Sequence, residues 1–103
     1  MDWKISMEIL DEKVQIWIDS ARFVKPKPGV YVFYDRKLTP LFIGAAENLQ
    51  KQFTQYLDSN FESEPCKQKT YSYQRVFTET PVDKQNQLLS EYEREHGSKP
   101  ICN

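Results

Sequence analysis

The chain has 103 residues, of which 39% are hydrophobic and 28% charged. That is the size of one domain, too apolar for a disordered tail, and without an apolar run near the roughly 18–20 residues of a membrane-spanning helix. Fourteen Lys and Arg against fifteen Asp and Glu leave a net charge of −1, which excludes nucleic-acid binding through bulk positive charge and confines any such contact to a local basic patch.

The opening MDWKISMEIL has no basic leader before an apolar block, so no secretory signal, no membrane contact and a cytoplasmic location are expected. Cys66 and Cys102 form no CxxC pair, and the lone His96 does not complete a zinc set with them. Two reduced thiols are the expectation for a cytoplasmic chain, and spacing alone does not reveal a disulfide.

Trp3, Ile5, Met7 and Ile9 alternate with polar residues, as do Val14, Ile16 and Ile18. This predicts an N-terminal hairpin turning at Asp11–Lys13. A helix over 12–23 competes, because Val14, Trp17, Ile18 and Ala21 also share a helical face. The Lys25-Pro26-Lys27-Pro28-Gly29 segment is a stiff connector. Val30 to Tyr34 is β-branched or aromatic throughout and predicts a buried strand. A turn over 35–40 leads to a short partner strand, Leu41 to Ile43, stopped by Gly44.

Asn48 opens a helix to about Leu57, with Leu49, Phe53, Tyr56 and Leu57 on one face. Residues 59–70 are polar and predict a surface loop. Alternation from Tyr71 to Phe77 predicts a third strand. The last helix has Thr80 as N-cap, Pro81 at its first position, Asp83 placed for a capping box, a stripe of Leu88, Leu89 and Tyr92, and Gly97 as its stop. The order is ββαβα after an N-terminal extension over 1–27. The fold class is α+β, with helices packed on a small antiparallel sheet.

Gly29-Val30-Tyr31 followed by Phe42-Ile43-Gly44 resembles the GIY-YIG nuclease domain. GAAENLQKQFTQYL is similar to the helix after YIG in the excision-repair nucleases of that family. LLSEYEREHGSKPICN is similar to the family's closing helix and Pro-x-x-Asn ending. The resemblance covers residues 28–103 and fits a small stand-alone member. It implies metal-dependent cleavage of DNA phosphodiester bonds. A tyrosine activates water, a second supports it, an arginine holds the phosphate, and a glutamate holds Mg²⁺ or Mn²⁺.

Carried over residue by residue, Tyr31 matches the first tyrosine, Tyr56 a supporting Tyr/His position, Glu91 the metal glutamate and Asn103 the terminal asparagine. Three positions depart. Phe42 lacks the second tyrosine's hydroxyl, Ala45 replaces a basic residue, and Gln52 stands in place of the arginine. A neutral amide offers a phosphate far less than a guanidinium fork. Lys51 is turned off that helix face, and Arg75 on the third strand is a conceivable substitute.

Each retained residue also has an ordinary reading. Tyr31 fits a packed strand, Glu91 a solvated carboxylate, and His96 a group favouring the helix dipole. Arg22, Lys25, Lys27, Arg36 and Lys37 flank the first motif strand. If they converge they make a basic rim for phosphates, with Lys27, Arg36, Lys37, Lys51 and Arg75 as candidate nucleic-acid contacts. The expectation is a degenerate GIY-YIG domain that binds nucleic acid or a protein partner, with nuclease activity weak or lost. The alternative is an active Mg²⁺/Mn²⁺ endonuclease with an altered site built on Tyr31, Tyr56 and Glu91. A third reading is a purely structural protein whose cleft is covered.

Overall fold

Val30 to Tyr34 forms the strand around which the domain is arranged. The structure is a computed structural model and describes residues 9–103. The elements run β1 (Gln15–Ile16), α1 (Trp17–Ser20), β2 (Gly29–Tyr34), β3 (Pro40–Ala46), α2 (Leu49–Ser59), β4 (Ser72–Phe77) and α3 (Pro81–His96), with 3₁₀ turns at Ala21–Phe23 and Pro65–Lys69. The sheet order is β1-β4-β2-β3, antiparallel throughout. This is the expected α+β class, an antiparallel sheet flanked by helices.

All of β2 is buried, so its two faces feed two cores. Tyr31 and Phe33 join Trp17, Ala21, Leu49, Phe53, Tyr56, Phe61 and Tyr73 on one face. Trp17 is the hub, with ring centroids 5.0 Å from Phe53 and 5.1 Å from Phe33, both edge-on, the arrangement aromatic quadrupoles favour. Val30, Val32 and Tyr34 point the other way, where α3 packs Leu88 against them and Ile43.

Several expectations are corrected. The first strand of the N-terminal hairpin, from Trp3, lies largely outside the described residues. Its second strand shrinks to Gln15–Ile16, which adds to the sheet edge beside β4, and the chain then turns helical at Trp17. The burial of Trp17 decides this, since Ile18 is left 65% exposed. Residues 9–12 are docked by Gln74, whose amide Nε2 donates to the Leu10 and Glu12 carbonyls and whose Oε1 accepts from Leu10 N–H.

Gly44 does not stop β3. The pairing with β2 continues through it to Gly29↔Ala46. Asn48 does cap α2, its Oδ1 accepting from Lys51 N–H at 3.0 Å. The capping box at Thr80 does not form. Thr80 makes no side-chain cap, and its own N–H donates to Thr78 Oγ1. Gly97 ends α3 at φ 83°, a left-handed conformation suited to glycine. The polar loop over 59–70 contains the 3₁₀ turn Pro65–Lys69.

The cysteines are not free thiols: Cys66 and Cys102 form a disulfide. Near it, Cys102 N–H donates to the Leu41 carbonyl at 2.8 Å, and the Asn103 amide grips both the N–H and the C=O of Ile43, each at 2.9 Å. The tail therefore covers the open edge of β3, as edge strands require. No helix among the described residues is long and apolar enough to cross a membrane.

Candidate functional site

Tyr31 on β2 sits opposite Gly44 on β3. A side chain at Gly44 would have no room: its Cβ would lie 2.3 Å from Tyr31 Cζ and 2.5 Å from the Tyr31 hydroxyl oxygen. The glycine thus makes the slot that the tyrosine ring fills. Phe42, two residues earlier on the same face, lies against it with centroids 6.0 Å apart.

Helix α2 supplies Tyr56, whose hydroxyl is 3.2 Å from that of Tyr31. Its inward spacing from Leu49 and Phe53 puts Tyr56 on the buried face. The structure thus joins two of the candidates, Tyr31 and Tyr56. Tyr31 is 2% exposed and Tyr56 6%. Burial pushes the Tyr31 hydroxyl well above the ordinary tyrosine range, and Tyr56 and the Glu64 carboxylate add to the shift. A neutral hydroxyl results.

Lys67 closes the pair. It is 5% exposed, and its Nζ donates to the Tyr56 hydroxyl at 3.1 Å and lies 3.6 Å from the Phe42 ring centroid. Glu64, one turn back, accepts a hydrogen bond and forms an ion pair with the same ammonium. A buried ammonium needs such compensation, and here a carboxylate, a hydroxyl and an aromatic face share it. The turn bearing Lys67 is held by the disulfide at Cys66. Nothing local in the sequence marks Lys67. Glu64 and Lys67 look like a solvated pair in a polar loop.

The other candidates share no hydrogen bond with this pair. Glu91 on α3 accepts from Gln87 one turn back and shares no hydrogen bond with the tyrosines. Gln52 is half-buried on α2, one turn before Tyr56, and Ala45 is half-buried on β3. Arg75 stands opposite Tyr31 on β4, with its guanidinium carbon 4.9 Å from the Phe77 centroid and its Nε buried without a hydrogen-bond partner. Lys51 is exposed on α2, and His96 stacks on Tyr92.

The basic residues fall into two groups rather than one rim, Lys27 with Arg75 at the Phe77 ring and Arg36 with Lys37 in the turn after β2. Lys27 lies over Phe77 at the Gly29 end of β2. Arg36 and Lys37 sit in the turn past Tyr34, about 20 Å away for a strand of six residues. Tyr31 itself is buried against Tyr56 and Phe42, and Lys67 is seated on both of those.

A crystal structure of the GIY-YIG N-terminal endonuclease domain of UvrC from Thermotoga maritima, bound to magnesium as its catalytic cation, superposes with a TM-score of 0.55. Identity is 20%, over 100% of this chain and 99% of that one. The chain has the GIY-YIG fold. A second structure of that GIY-YIG domain, a tyrosine-to-phenylalanine point mutant bound to its catalytic divalent cation, gives the same TM-score at 21% identity. UvrABC system protein C of Vibrio cholerae is 38% identical over 52 residues, which is 48% of this chain and 8% of the relative. The same protein of Mannheimia succiniciproducens is 31% identical over 77 residues, 72% of this chain and 13% of the relative. The chain therefore spans only about a tenth of the length of these curated relatives. No protein-family model matches the chain.

On this GIY-YIG fold the carboxylate that would hold a divalent ion is Glu91 on α3, and the tyrosine pair carries the Lys67–Glu64 ion pair. The Lys67 cation donates to the Tyr56 hydroxyl, and the Glu64 carboxylate is committed to Lys67. Glu91 offers one carboxylate on α3. Among the described residues no three His, Cys, Asp or Glu side chains come together as ligands.

Proposed function

We propose that this chain is a degenerate GIY-YIG domain that binds nucleic acid without cutting it. The observation that carries this reading is the Lys67 ammonium seated on Tyr56 and the Phe42 ring, together with a Tyr31 hydroxyl that is buried, neutral and paired with Tyr56. Activating a water needs a base with solvent access and a pKa near the working pH. Tyr31 has neither. Phe42 brings no hydroxyl, and Gln52 brings no charge to a phosphate. Losing one transition-state donor costs about 10²–10³ in rate, and linked losses do not simply add.

What is left is a scaffold with exposed cations. Arg36 and Lys37 are held out on the β2–β3 turn and Lys27 on the connector before β2, where they meet phosphates without reading bases. The likeness to UvrC suggests DNA of the kind handled in repair. The cytoplasmic location stays part of the proposal, although the Cys66–Cys102 disulfide argues against a strongly reducing compartment.

Fluorescence anisotropy with single-stranded, duplex and branched DNA in EDTA tests the binding. We expect saturable binding that falls with salt, with a log–log slope of about −2 to −3 for three phosphate contacts, and weaker binding by Arg36→Ala/Lys37→Ala. No binding at low salt overturns the reading and leaves a protein partner as the occupant.

A second reading draws on the same ammonium. If Lys67 swings from Glu64 to a scissile phosphate, it replaces the missing arginine and the domain is an altered Mg²⁺/Mn²⁺ endonuclease with Glu91 as metal ligand. In that case Lys67→Met abolishes cleavage.

A further inference from the structure

The turn after β2 and the segment before β4 flank an open surface cleft of about 480 Å³, away from the tyrosine pair. Its walls carry Arg36, Lys37 and Lys69, with Asp35 as the one carboxylate. The cleft is thus net positive on a chain of net charge −1. Among the described residues no carboxylate lies within ion-pair distance of these three cations; the ion pair found there is Lys67–Glu64. Asp35 is occupied otherwise: its Oδ1 accepts from the N–H groups of Lys37 and Thr39, each at 2.9 Å. That pair of bonds shapes the turn and holds Arg36 and Lys37 outward.

The cleft also has an aromatic wall. Tyr71 is 37% exposed, and the Arg36 guanidinium carbon lies 4.6 Å from its ring centroid. Stacking holds the guanidinium plane while leaving its N–H fork free. Tyr71 is fixed by its backbone, its N–H donating to Tyr34 C=O and its C=O accepting from Trp17 N–H. Beside it, the Thr70 hydroxyl is buried with no hydrogen-bond partner, an unmet cost in a folded protein.

We infer that this cleft binds a phosphate monoester. A guanidinium fork and two ammoniums meet a dianionic phosphoryl group, Tyr71 gives an attached base or sugar an apolar wall, and the volume is that of a small-ligand site. The monoester is either a free nucleotide or the phosphorylated end of a nucleic-acid strand. The strand-end form rests on the proposed nucleic-acid binding; the free-nucleotide form stands without it.

The test is a nitrogen-15 NMR titration of the whole chain with deoxyadenosine 5′-monophosphate, and with deoxyadenosine as the uncharged control. We expect the amides of Arg36, Lys37, Lys69 and Tyr71 to shift with the nucleotide and not with the nucleoside. Arg36→Ala/Lys69→Ala should weaken binding at least tenfold, while Lys13→Ala changes nothing. These side chains are exposed, so the variants should fold, and the same spectra report whether they do. No shift at these amides by 10 mM nucleotide, or equal shifts with the nucleoside, overturns the inference. Anisotropy with an oligonucleotide bearing a 5′-phosphate or a 5′-hydroxyl separates the sources. Tighter binding of the phosphorylated strand identifies a strand end; equal binding, with the nucleotide still bound, identifies a free nucleotide.

Discussion

A methyl group on Gly44 would lie 2.3 Å from Cζ of Tyr31 and 2.6 Å from Cε2 of Phe42. Both obstacles are rings wedged in a packed core, which do not yield as a flexible chain would. Gly44→Ala should therefore destabilise the domain by about 1–3 kcal/mol, the usual range for overpacking. The melting temperature should fall by roughly 5–20 °C for a domain of this size. An unchanged melting temperature would show that Tyr31 is not held in this slot.

Lys67 and Glu64 should respond unequally to mutation. Lys67 is the buried partner, its side chain 6% exposed against 42% for Glu64. Glu64→Ala leaves a buried ammonium short of its counter-charge and should cost about 2–3 kcal/mol. Lys67→Met leaves Glu64 able to reach water and keeps most of the packing, so about 1 kcal/mol is expected. Urea unfolding of both variants decides, and equal losses would mean the ammonium is solvated.

The disulfide spans 36 residues of chain. Closing a loop of that length in the unfolded state is worth about 3–4 kcal/mol. Cys66→Ser/Cys102→Ser should lose that much. It should also speed hydrogen exchange at Ile43, whose N–H is held by Asn103 next to Cys102. Exchange at Ile43 as slow as in the parent would separate the tail's clamp from the disulfide.

Tyr31 should leave a mark at alkaline pH. Its folded-state pKa lies above the ordinary value of 10.0. The unfolded chain therefore gives up this proton first, and the contribution is complete below about pH 10 and is lost as pH rises beyond it. Wild type should lose up to about 1.4 kcal/mol per pH unit more than Tyr31→Phe between pH 10 and 11. Parallel pH profiles for the two proteins would place Tyr31 in contact with water.

Much of the fold is legible in the residues, because strand and helix signals there agree with burial. Val30 to Tyr34 has no polar side to turn outward, so only a central strand suits it. Pro81 and Gly97 punctuate α3 on their own. Elsewhere local signals mislead. Val14, Ile16 and Ile18 alternate like a strand, yet Trp17 is the residue the core takes, and Ile18 is left outside. Thr80 has the chemistry of a cap but not the backbone geometry, and Thr78 serves its N–H instead. In the candidate site, Tyr31 and Tyr56 are legible through the motif. Lys67 is not, because its burial is set by long-range packing against Phe42 and Tyr56. The cysteine pairing is hidden for the same reason, since only the fold brings Cys66 and the tail together.

The claim that the sealed tyrosine pair no longer cuts is tested most directly by Mn²⁺-dependent cleavage of plasmid, branched and single-stranded DNA, with Glu91→Ala purified and assayed in parallel. Wild type should leave every substrate intact, with no difference from Glu91→Ala. Cleavage by wild type that disappears in Glu91→Ala would contradict it and make Lys67 the first cation to examine.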